Sequence, residues 1–104
     1  MDALQPARLQ IYSVEEKPEG AAVCIVRCVG GTARTGQRFT YVSAAHRSSG
    51  RSHMTLDRIL RYEKPVDLLE PPHTAKVLLS GEGVEELAKG SIITAMACDT
   101  YDRF

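Results

Sequence analysis

The sequence predicts an all-β protein organised as one small domain, and three observations carry that expectation. Apolar stretches of about five to eight residues recur along the chain, a length that suits strands better than helices. Glycine and proline interrupt them at short intervals, marking turns. The chain has 104 residues, 43% hydrophobic and 25% charged, which suffices for one core but not for a core plus a separate catalytic domain. The expected organisation is a single domain over 1–104, with its core at about 9–97.

Taken in order, Leu9, Ile11 and Ser13 alternate with Gln10 and Tyr12, giving a first strand that ends at a polar turn closed by Pro18 and Gly20. Residues 21–29 are apolar except for Arg27, consistent with a strand covered on both sides or one carrying a bulge. Gly30, Gly31 and Gly36 then bracket a tight turn, a short strand and another turn. Phe39 and Tyr41 alternate with Arg38 and Thr40 in the next strand. Residues 43–53 are rich in Ser, Arg, His and Gly and lack large apolar side chains, so this stretch reads as a flexible loop. Leu56, Ile59 and Leu60 resume the strand pattern, followed by Tyr62, a turn at Lys64 and Pro65, and a strand at 66–69. Pro71 and Pro72 force an extended turn before a strand in which Ala75, Val77 and Leu79 share one face. One short helical turn is expected at 84–88, with Val84 and Leu87 on one side and Gly90 ending it. A closing strand at 91–97 sets Ile92, Thr94 and Met96 opposite Ile93, Ala95 and Ala97, and residues 98–104 form a loose tail.

No run approaches the roughly 18 apolar residues that cross a bilayer, and residues 1–6 lack the pattern of a signal peptide, so a cytoplasmic, non-membrane protein is expected. Three cysteines, Cys24, Cys28 and Cys98, are an odd number that argues against a disulfide framework. Lysine plus arginine and aspartate plus glutamate each number 13, so the whole chain exerts no net pull on nucleic acid. The distribution is uneven, however: residues 20–56 contain no Asp or Glu but hold Arg27, Arg34, Arg38, Arg47 and Arg51 with His46 and His53.

The spacing of Val23, Cys28, Gly31, Ala33, Gly36 and Phe39 resembles the β-barrel domain that follows the nucleotide-binding domain in elongation factor Tu and related translational GTPases. A second block, Leu56 and Ile59, then 75–81 and 84–93, is similar to that barrel's later strands. The resemblance spans roughly 9–96 and implies a small closed Greek-key-type β-barrel, here a stand-alone relative of domain 2 of that family. Spaced glycines fit such closure, because tight barrel corners leave no room for a side chain. No G-x-x-x-x-G-K-[ST] loop is present, so GTP binding by this chain is not expected. Pro71, Pro72, His73 and Thr74 stand where the family usually has a glycine, a departure that bears on any contact made through that turn.

Chemistry-bearing residues are sparse. Cys24 and Cys28 lie four apart on a strand with no second pair, although His46, His53 and His73 are conceivable completing ligands; packing in the core is the expected thiol role, with no metal and no cofactor. Nothing marks a nucleophile, base and orienting group, so no catalytic residue is assigned and the chain is not expected to be an enzyme. His73 behind two prolines and the acidic cluster Glu82, Glu85 and Glu86 read as solvated rim groups. The basic stretch is the functional lead: Arg34, Arg38, His46, Arg47, Arg51 and His53 form the expected RNA-binding set, suited to gripping phosphates. Likeness to the barrel family implies RNA, the ribosome or a translation factor as partner. The alternative is a protein-binding or self-associating barrel, a homo-oligomer included, using apolar surface.

Overall fold

The computed structural model describes residues 6–41 and 52–96. Nine strands follow in order: β1 (Arg8–Glu16), β2 (Ala21–Gly30), β3 (Ala33–Arg34), β4 (Arg38–Tyr41), β5 (Ser52–Arg61), β6 (Lys64–Val66), β7 (Leu68–Leu69), β8 (Thr74–Ser80) and β9 (Ile92–Ala95), with a 3-10 turn at Glu82–Glu86 before β9. The main sheet runs β4-β9-β1-β2-β8-β5-β6, and an additional β4–β5 pairing joins its ends. Six strands thus form a closed ring, from which β6 projects as the second arm of a hairpin on β5. Every pairing in that ring is antiparallel. Within it β4, β5 and β8 are successive neighbours and β9 returns to lie beside β4, which is the Greek-key order. Closure leaves no open strand edge in the ring, removing the template that an exposed edge offers to other chains.

Strand periodicity puts alternate side chains inside. Ala22, Cys24, Val26 and Cys28 of β2 are buried, as are Ala75, Val77 and Leu79 of β8, while Lys76 between them is exposed. The apolar run at 21–29 is therefore a one-sided strand: its outward Val23 and Ile25 are only half-covered and Arg27 is exposed. Leu9, Ile11, Phe39, Leu56, Ile59 and Ile93 complete the centre, all with no accessible surface. Burying such side chains stabilises the fold by about 1.5–3 kcal/mol each.

β1 departs from simple alternation. Its register against β2 shifts between Ile11 and Ser13, so that Val14 rather than Ser13 packs on the core after Leu9 and Ile11. A bulge re-aims the side chains beyond it, which alternation in the sequence alone does not reveal. Two other expectations are corrected. Ser52 and His53 belong to β5, so the segment between strands is shorter than 43–53, and its residues 42–51 lie outside the described ones. The turn after β5 falls at Tyr62 and Glu63, with Lys64 and Pro65 inside β6 and Asp67 separating β6 from β7. The expected loose tail at 98–104 lies outside the described residues.

Small elements seal the barrel. Ala33 of β3 pairs with Leu69 of β7, and both are buried in the core. The 3-10 turn packs against β2, β4, β5 and β8, burying Val84, with Leu87 just after it also buried. Between β2 and β3 the chain crosses the start of β1 so closely that a Cβ on Gly31 would stand 2.7 Å from the backbone of Pro6 and Ala7. Its φ of +61° is likewise a glycine conformation.

Candidate functional site

Of the expected RNA-binding set, the barrel brings two described members together. Arg38 of β4 pairs with Thr55 of β5, and His53 of β5 pairs with Thr40 of β4, so the two side chains sit one step apart along the seam that closes the ring. They line one groove of about 340 Å³ with Thr55, Ser80, Gly81 and Glu82. Arg38 is exposed, whereas Nε2 of His53 is shielded and has no hydrogen-bond partner among the described residues.

Gly81 lines this groove where the chain passes close to β5. Its φ of +125° lies in a region essentially reserved for glycine, and a Cβ there would stand 2.8 Å from the carbonyl oxygen of His53. Gly81 thereby approaches β5 backbone to backbone, and Glu82, the first residue of the 3-10 turn, also lines the groove.

The other arginines of the basic stretch do not join this groove. Arg34 lies on β3, paired with Leu68, and is not among the groove residues. Arg27 sits on the outer face of β2, at the end paired with Thr74 of β8 and away from the groove's Ser80, which pairs with Ala21. There its Nε donates to the carbonyl of Pro72 at 3.1 Å and its Nη1 to the hydroxyl of Tyr12 at 3.1 Å, so it anchors the diproline turn. His46, Arg47 and Arg51 lie outside the described residues; by connectivity, residues 42–51 join the paired strand ends Tyr41 and Ser52, next to Thr40 and His53.

His73 is exposed beside Glu70, its Nδ1 3.2 Å from that residue's carbonyl. Cys24 and Cys28 point into the core without accessible surface. Burial pushes the Cys24 thiol up to about 11 and raises that of Cys28 as well, the latter opposed by hydrogen bonding to Gly30. The Cys28 thiol donates toward the carbonyls of Gly30 and Gly31 at 3.4 and 3.6 Å. Both are protonated packing groups rather than thiolate nucleophiles or ligands. Among the described residues no three His, Cys, Asp or Glu side chains converge as a metal site.

A second groove, of about 690 Å³, lies at the other end of the β5–β8 ladder. Ile25, Leu60, Arg61, Tyr62, Glu63, Thr74 and Lys76 contribute to it. The sequence held one signal for it, an aromatic residue at a turn, but cross-strand register is what collects its members: Ile25 pairs with Lys76, and Lys76 with Leu60.

No protein-family model matches the chain, and no curated protein matches it by sequence. No helix among the described residues is long and apolar enough to cross a membrane. Solved structures do match. The S. cerevisiae Ski7 GTPase-like domain bound to GTP superposes with a TM-score of 0.65 at 14% identity over 90% of this chain. The same domain bound to GDP and inorganic phosphate gives 0.65 at 13% identity over 91%. The chain spans 24% of the length of each. At such identity the likeness is one of fold: this chain is a closed β-barrel that resembles part of the Ski7 GTPase-like domain.

Proposed function

We propose that this chain is a non-catalytic interaction module, related to domain 2 of elongation factor Tu-like GTPases, that binds RNA or a translation or ribosome component in the cytoplasm. The observation supporting this reading is the juxtaposition of Arg38 and His53 in one groove at the strand pair whose connection carries His46, Arg47 and Arg51. A guanidinium and an imidazole beside the hydroxyls of Thr55 and Ser80 supply donors of the kind that hold phosphate oxygens. Arg34 and Arg27 lie outside this set. Of these, Arg27 is already engaged with Pro72 and Tyr12.

The test is fluorescence anisotropy with labelled tRNA and a ribosomal RNA fragment across a salt series. Binding is expected to weaken steeply with salt, and Arg38→Ala with Arg47→Ala to flatten the log–log slope by roughly 0.7–0.9 for each phosphate no longer neutralised. Arg27→Ala is expected to leave the slope unchanged. Absence of binding to either RNA at low salt overturns the reading. A protein-binding or self-associating role is the second reading, supported by the exposed apolar side chains Tyr62, Leu68 and Ile92. Sedimentation showing a strict monomer, with no partner recovered, counts against it.

A further inference from the structure

The turn between β5 and β6 breaks a local rule. Arg61 pairs with Lys64, leaving a two-residue connection in which Tyr62 has φ +53° and Glu63 φ +66°. Both central residues of such a turn are left-handed, a geometry that strongly favours Asn-Gly or similar pairs. Tyrosine and glutamate are poor choices for it on conformational grounds, and backbone strain of this kind persists where surrounding structure or function retains it. The consequence is that the Tyr62 ring stands 87% exposed, far more than any other large apolar side chain described.

The neighbours of Tyr62 form a coherent surface. The Arg61 guanidinium lies over its ring, 5.5 Å from the centroid, and Nε of Arg61 is shielded without a hydrogen-bond partner among the described residues. Ile25 and Leu60 give the groove apolar lining, while Lys76 and Thr74 on β8 supply an exposed ammonium and hydroxyl. An apolar floor walled by tyrosine and arginine has the composition of a protein-binding hot spot. A guanidinium already partly desolvated over an aromatic ring loses less hydration on meeting a carboxylate and attracts it in a lower effective dielectric. Pro65 of β6 lacks an N–H, which disfavours docking by strand addition and leaves side-chain recognition.

We propose that this groove docks an acidic segment of a partner protein, with an aromatic or branched aliphatic side chain seated on Ile25 and Leu60 against Tyr62 and carboxylates paired with Lys76 and Arg61. The site is separate from the Arg38–His53 groove: Leu60 pairs with Lys76 at one end of the β5–β8 ladder and Thr55 with Ser80 at the other. It stands whether or not RNA binds there.

The test titrates ¹⁵N-labelled full chain with a synthetic peptide alternating Glu or Asp with Leu and Phe, with its Gln and Asn counterpart, and with an oligouridylate. The acidic peptide is expected to shift the amides of Ile25, Leu60, Tyr62, Thr74 and Lys76, and its amide counterpart to bind at least about tenfold more weakly. Tyr62→Ala and Lys76→Glu, each checked for an intact strand spectrum, are expected to raise the dissociation constant at least about tenfold. Absence of shifts with the acidic peptide, shifts elsewhere, or undiminished binding by Tyr62→Ala overturns the proposal. So does an oligouridylate that shifts these amides while the peptide does not, which assigns the groove to nucleic acid instead.

Discussion

Replacing Gly81 by alanine tests how tightly the 3-10 turn is locked to the barrel wall. The added methyl meets backbone on its nearest sides, 2.8 Å from the oxygen of His53 and 3.0 Å from Cα of Met54. Neither atom is the free end of a side chain, so relief requires the turn or β5 to move. The residue also holds φ +125° and ψ 175°, where a side chain costs of order 1–3 kcal/mol. Overpacking against a rigid neighbour adds typically about 1–3 kcal/mol. The expected loss is therefore about 2–6 kcal/mol, a large part of the ~5–15 kcal/mol that holds a domain of this size folded. At about 4 °C or more per kcal/mol, the thermal midpoint falls by at least about 8 °C. Gly20→Ala supplies the comparison, because Gly20 also has positive φ but no atom lies within 4 Å of its would-be Cβ. Its loss is expected to be about 1 kcal/mol. Urea unfolding followed by far-ultraviolet circular dichroism measures both; equal losses, or a Gly81→Ala loss below about 1 kcal/mol, refute the reasoning.

The remaining expectations concern the core, the thiols and the strained turn. Phe39→Ala empties a fully buried position on β4, where the ring closes, and is expected to cost about 3–5 kcal/mol in urea unfolding; a loss under about 1 kcal/mol contradicts the packing described. The folded-state pKa of Cys24 is raised from 9.0 to about 11, so the folded state holds this proton more tightly than the unfolded chain. Its contribution to stability is full below pH 9 and is lost as pH rises toward 11; Cys24→Val is expected to show a shallower alkaline decline than the parent. The double change Tyr62→Asn with Glu63→Gly suits the left-handed turn and is expected to raise stability by about 1 kcal/mol while abolishing capture of the acidic peptide. An unchanged midpoint removes the case for strain at that turn.

Much of the fold was legible because strand periodicity and turn chemistry are local. The alternation of Ala75, Val77 and Leu79 and the shared face of Ile93 and Ala95 appear as the sequence predicts, whereas the helical turn lies at Glu82–Glu86, earlier than the expected 84–88, with Leu87 extended just beyond it. What escaped depends on neighbours distant in sequence. The bulge after Ile11 shows only in register against β2, and the turn at Tyr62 and Glu63 carries none of the residues that ordinarily signal such geometry. The site was legible only in part for the same reason. Sequence adjacency grouped Arg27, Arg34 and Arg38, but the fold places them on β2, on β3 outside the ring, and on β4, and only Arg38 reaches the groove with His53. The groove at Tyr62 is assembled from β2, β5 and β8, elements that no local window contains together.

The central claim is that β4 seals the sheet into a ring by pairing on one side with β5 and on the other with β9. Nuclear Overhauser spectra of the full chain address it directly. Contacts are expected between the backbones of Phe39 and Met54 and, in the same sample, between Phe39 and Ala95 and between Thr40 and Thr94. Cross-strand contacts on one side of β4 with none on the other would show an open sheet and contradict the barrel.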